Sequence, residues 1–118
     1  MSPRNILKAW IDAFNNADHE RISELYADNA TNHQVPNHPV VGKPAICQMF
    51  ADEFSKTKMT CIPENIFVDG DWAILEWKDP NGLRGCGFFQ IQNNKIVFQR
   101  GYWDKLSFLK FHNLPIEV

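Results

Sequence analysis

The chain has little of what would mark a specialised environment. Its 118 residues hold three cysteines, Cys47, Cys61 and Cys86, an odd number without CxxC spacing. That argues against a disulfide or zinc framework and for reduced, packed thiols. Runs of like charge are missing: 12 basic and 14 acidic side chains are dispersed, for a net charge of −2. A nucleic-acid partner or an anionic membrane surface would need a basic footprint, so neither partner is expected. No apolar stretch approaches the roughly 18 residues of a membrane span. The opening segment MSPRNILKAW lacks a signal-peptide core, so a cytoplasmic location is expected. Repeats, linkers and low-complexity segments are also absent, and residues 1–118 read as a single domain.

Aromatics, by contrast, are plentiful: nine Phe, four Trp and two Tyr. In so small a domain such rings either fill a core or wall a cavity.

The patterning runs from helices to strands. Ser2-Pro3 is a helix start, and Leu7, Trp10, Ile11 and Phe14 recur at helical spacing until Asn15-Asn16. Asp18 suits the cap of a second helix carrying Ile22, Leu25 and Tyr26 and ending near Asp28-Asn29. A short extended piece over residues 30–35 enters the loop Pro36-Asn37-His38-Pro39, and Gly42-Lys43-Pro44 opens helix three. Strands are predicted over residues 59–68, 72–78, 83–92 and 95–103. Asp69-Gly70, Asp79-Pro80-Asn81-Gly82 and Asn93-Asn94 supply the turns between them. Asp104 caps a short terminal helix with Leu106, Phe108, Leu109 and Phe111. Three helices on one face of a curved antiparallel sheet give an α+β layer fold.

Helix three carries the sharpest chemical signal. Ile46, Met49, Phe50 and Phe54 define an apolar arc, and Glu53 lies within it, about 20° from Ile46 at 100° per residue. A carboxylate on an inward face either rises in pKa toward neutrality, as a general acid or base requires, or is rescued by solvent or a cation. Asp79 opens a type I turn, where Asp is favoured for local hydrogen bonding. Glu76 and Arg100 read as an outward ion pair on neighbouring strands. His33 and His38 have no ligand spacing, so no metal is expected; His38, in the loop 36–41, is placed near a pocket mouth, where an imidazole could shuttle protons. His19 and His112 read as exposed. Cys86, between Gly85 and Gly87, reads as a packed thiol. The two glycines fit a sharp bend or a close approach.

If Gly101 points inward, strand parity sends Gln99 and Trp103 inward with it. Trp10, Phe14, Phe50, Phe54, Leu75, Trp77, Phe89 and Trp103 would then form an aromatic container with Asn32, Gln34 and Gln99 as neutral hydrogen-bonding points. Such a lining suits a flat, mostly apolar ligand.

The element order, with YADNATNHQVPNHPVVGKPAI followed by GFFQI and QRGYWD, resembles the nuclear transport factor 2-like superfamily, particularly its SnoaL-like branch. The resemblance implies a cone-shaped sheet, a cystatin-like α+β barrel, with three N-terminal helices on its concave face and a deep pocket between. Relatives include polyketide cyclases, limonene-epoxide hydrolase and ketosteroid isomerase. Against the epoxide hydrolase pattern, Asn32 and Gln34 fall where a Tyr and an Asn help hold the attacking water. Trp77 replaces an Arg, Asp79 matches one Asp, and Gly101 replaces the Asp that acts as general base. The cyclases keep their acid/base Asp in that same column. Against ketosteroid isomerase, Trp10 stands for the Tyr of helix one and Gln34 for the proton-transferring Asp, and Gln cannot carry a proton between carbons.

Two readings follow. One is a cofactor-free cyclase, isomerase or dehydratase using Glu53 or, second, Asp79. The other is a non-catalytic ligand-binding or dimeric interaction module. Both share a small apolar ligand and a homodimer through the outer sheet face, where parity places Phe88, Phe98 and Tyr102.

Overall fold

The computed structural model describes residues 2–116. In it the Ser2 hydroxyl accepts from the Asn5 amide at 3.2 Å and starts α1 (Pro3–Asn15), whose buried stripe is Ile6, Leu7, Trp10, Ile11 and Ala13. Asp18 caps α2 (His19–Glu24) through the Arg21 amide. Then follow β1 (Tyr26–Gln34), β2 (Val40–Val41), α3 (Lys43–Lys56), β3 (Ile62–Asp69), β4 (Trp72–Lys78), β5 (Arg84–Gln92), β6 (Lys95–Trp103) and α4 (Lys105–Phe111). Among the described residues no helix is long and apolar enough to cross a membrane.

The six strands form one curved, unclosed sheet in the order β2-β1-β6-β5-β4-β3. Neighbours are antiparallel except β1 and β6, which run parallel. The second helix is shorter than expected, and the reason is tertiary. The Leu25 carbonyl accepts from the Ile96 amide at 2.8 Å, so β6 captures the chain and Tyr26 begins a strand. The predicted bounds of the strands over 72–78 and 95–103 agree with β4 and β6, whereas β3 starts only at Ile62. Asn93 and Asn94, both at positive φ, make the two-residue turn that sets the β5–β6 register.

The core lies between the helices and the inner sheet face, where Ile6, Leu7, Ile22, Tyr26, Ile46, Leu75, Phe89 and Ile96 are almost fully buried. Gly85 is there for space: a Cβ would stand 2.4 Å from the Trp77 ring and 2.6 Å from the Tyr102 carbonyl oxygen. The indole of Trp77 lies across this bare backbone.

Glu76 and Arg100 do not pair. They sit two strands apart, on β4 and β6, with β5 between. Glu76 accepts from Asn65 at 2.7 Å, and the Arg100 guanidinium lies 5.5–6.0 Å from the ring centroids of Phe98, Phe88 and Tyr102. Strand order, which residue spacing does not encode, decides this.

Gly85→Ala should destabilise the fold by about 1–3 kcal/mol, because the nearest obstacles are an indole and a carbonyl that cannot both withdraw. Urea unfolding monitored by Trp fluorescence measures it; an unchanged midpoint would mean that Trp77 is free to move.

Candidate functional site

A cavity of about 320 Å³ opens between the helices and the inner sheet face. Its floor is built where β1 and β6 run side by side, with Asn32 opposite Gln99 and Gln34 opposite Gly101. Six polar side chains there are joined by hydrogen bonds. Trp103 Nε1 donates to Gln34 Oε1 at 2.9 Å, and Gln34 Nε2 donates to Asn32 Oδ1 at 2.7 Å. Asn32 Nδ2 approaches the Tyr26 hydroxyl oxygen at 3.5 Å. That oxygen also accepts from Trp10 Nε1 at 2.9 Å, and its own proton goes to Gln99 Oε1. Every member is neutral. Burial pushes the Tyr26 phenol far above its ordinary value, which keeps it a hydroxyl.

Gly101 is integral to this arrangement. A Cβ on it would fall 2.1 Å from Gln34 Oε1 and 2.8 Å from Gln34 Cδ. The amide of Gln34 therefore occupies the space into which any side chain at 101 would project.

Rings make the walls. Trp10 stacks on Phe14 at 5.1 Å and meets Phe89 edge-on at 5.1 Å, with Phe50 and Phe54 stacked behind at 5.6 Å. Trp77 and Trp103 complete the lining from the sheet.

Among the described residues two acids border the cavity. Glu53, in the last turn of α3, is half-buried, and its carboxyl is pushed up from an ordinary 4.5 to about 7. Loss of hydration is the main cause; Lys56 opposes it and Asp52 adds to it. Among the described residues its carboxylate has no hydrogen bond or ion pair. Asp79 is buried, and its Oδ1 accepts from the amides of Asn81 and Leu83, both at 2.9 Å. One of its oxygens thus belongs to the turn.

The cavity brings together Trp10, Phe14, Asn32, Gln34, Phe50, Glu53, Trp77, Asp79, Phe89, Gln99, Gly101 and Trp103. Two expected members lie elsewhere. His38 is exposed and outside the lining, because the pairing of β2 with β1 turns this loop away and leaves Asn37 at the mouth. Phe54 sits behind the wall, packed on Phe14 and Phe50. Met49, Met59 and Cys61 also line the space, and burial pushes the Cys61 thiol up to about 12, so it stays protonated. The terminal helix is a further part of the site: Phe108, Leu109 and His112 border the cavity, with His112 half-buried against Phe108 at 4.6 Å. The amphipathic pattern of α4 was the signal for it, but spacing gives no hint that the helix folds back over the mouth. Among the described residues no three His, Cys, Asp or Glu side chains converge as a metal site would require.

An unclosed, curved sheet with helices closing a deep pocket against its inner face defines the nuclear transport factor 2-like class. Within that class the chain belongs to the SnoaL-like domain family, which matches residues 7–99. Similar solved structures include an NTF2-like protein of unknown function from Cytophaga hutchinsonii, with a TM-score of 0.80 at 14% identity over 92% of this chain and 96% of that one. Another is SalBIII, an epoxide hydrolase/cyclase-like enzyme with a role in pyran ring formation in salinomycin, with a TM-score of 0.78 at 19% identity over 88% of this chain and 92% of that one. A third is an LEH-like epoxide hydrolase of M. tuberculosis, with a TM-score of 0.76 at 20% identity over 90% of this chain and 85% of that one. At such identities the likeness is one of fold. No curated protein sequence matches the chain.

Gly101→Ala should cost about 1–3 kcal/mol by driving Gln34 off its two partners. Gln34→Ser alone should cost a similar amount by removing the same two hydrogen bonds, but little more when added to Gly101→Ala, since the shorter side chain vacates the space. Additive losses in the double-mutant cycle would show that the two positions do not compete.

Proposed function

We infer that this chain binds a small, mostly apolar molecule in the ring-lined cavity and transfers a proton there without a cofactor, with Glu53 as the acid/base. The observation that carries the reading is the Glu53 carboxyl itself, which borders the cavity with no ion pair among the described residues and is pushed up to about 7 by burial. A group with that value exchanges protons in both directions at cellular pH. Isomerisation, dehydration and cyclisation all need a carbon or oxygen protonated or deprotonated beside a stabilised intermediate, and the resemblance in fold to SalBIII supports this class. Asp79 is the second candidate through the oxygen its turn leaves over. A second reading, binding without reaction, is favoured by one observation: the Gln34 amide fills the space beside Gly101, so the floor carries no titrating group.

The reading includes a homodimer through the outer sheet face. Phe67 and Tyr102 are 56% and 42% exposed there, and among the described residues the buried Arg100 Nε has no hydrogen-bond partner. The same face carries the Glu76 carboxylate, so it is self-complementary in charge, as a two-fold interface requires. Sedimentation should give a dimer at micromolar concentration, and Arg100→Glu should yield monomers; a monomeric parent chain would remove this part.

Glu53 sets a pH dependence whose sign is fixed. Because the folded state holds the Glu53 proton more tightly than the unfolded one, the contribution of this group to stability is full below about 4.5 and is lost as pH climbs through about 7. Glu53→Gln removes that loss. The variant should match the parent at pH 4 and exceed it by roughly 1–3 kcal/mol at pH 9. Carboxyl NMR should place the Glu53 midpoint near 7; a midpoint near 4.5 would remove it as the acid/base.

A further inference from the structure

The hydrogen bonds of the floor have a direction, and the direction is forced. An indole N–H can only donate. Trp103 therefore fixes the atom of Gln34 that faces it as the oxygen, which turns Gln34 Nε2 toward Asn32. Facing a donor, Asn32 presents Oδ1, which leaves its Nδ2 toward Tyr26. The Tyr26 oxygen then meets two donors, Asn32 and the N–H of Trp10, and its single proton goes to the remaining neighbour. That neighbour is Gln99, which must offer Oε1 and turn its Nε2 away from Tyr26. Gln99 lines the cavity, and among the described residues its Nε2 has no partner and is not shut off from the open space. Gln34 also lines the cavity and has a second N–H beyond the one given to Asn32.

We propose that the floor offers a donor subsite, formed by the amide nitrogens of Gln99 and Gln34 and oriented by Trp10, Tyr26 and Trp103. It takes a neutral ligand through an acceptor-only oxygen, a carbonyl or an ether. A ligand whose buried end is a donor meets N–H against N–H and loses the hydrogen bonds it made in water. A full anion is disfavoured as well, because the floor holds no cation to replace its hydration. Tyr26 lies outside the lining and acts on the subsite through Gln99, so it is a positioning residue. This subsite rests on the cavity being a ligand site.

The test uses three flat probes of similar size: acetophenone, which only accepts; ethylbenzene, which does neither; and indole, which only donates. Binding is followed by titration of the side-chain amide NMR signals. Acetophenone should bind about fivefold or more tightly than either of the others, the equivalent of one net hydrogen bond, and should shift the Gln99 and Gln34 NH2 signals. Gln99→Met should abolish the preference while ethylbenzene binding stays within about twofold. Tyr26→Phe should reduce the preference without changing ethylbenzene binding, whereas a merely structural role would weaken all probes alike. If Tyr26→Phe fails to fold, Gln99→Met decides. Equal binding of acetophenone and ethylbenzene, or indole as tight as acetophenone, overturns the subsite and leaves the cavity standing. If no probe binds, both the cavity reading and the subsite fall.

Discussion

The rest of the site depends on a side-chain amide held where another residue's side chain would be. Gln34 reaches across from β1 into the volume above Gly101 and is fixed at both ends, by Trp103 and by Asn32. In a low-dielectric interior each of these polar groups would be expensive without its partner. The chain of bonds satisfies them in sequence, from one indole to the other, using neutral groups alone. It also ties β1 to β6 by side chains along their parallel pairing and stands a polar floor at the end of an apolar cavity.

A neutral floor moves the site's charge elsewhere. The remaining carboxylates enter from other elements, Glu53 from α3 and Asp79 from the β4–β5 turn. Asp79 is half committed to its own turn by two amide hydrogen bonds. Glu53 has no such commitment, so burial acts on it with little opposition and its proton becomes easy to hold at neutral pH. Cys61 is displaced by the same physics, and for a thiol the result is chemical silence. One cavity environment therefore raises both groups, the carboxyl to about 7 and the thiol to about 12.

Much of this was legible in the chain because periodicity is a local property. The caps at Ser2, Asp18 and Asp104, the apolar arc of α3 with Glu53 inside it, and the inward parity of Gln99, Gly101 and Trp103 all follow from spacing. Tyr26 was misread for an instructive reason. Its spacing from Ile22 is helical, yet a strand nearly 70 residues further along the chain claims its backbone, and Gln99 claims its hydroxyl. His38 and the supposed Glu76–Arg100 pair failed for the same kind of cause, the placement of whole strands.

By itself the sequence determined most of the elements, the inward arc of α3 and the neutral residues that build the floor. Only the tertiary structure decided that Gln34 fills the space at Gly101, that Tyr26 joins the two halves of the floor, and that α4 returns over the mouth. The physical reason is the range of the interactions. A side chain's face is set by its neighbours along the chain, but its hydrogen-bond partner is set by the register of strands that lie far apart in sequence.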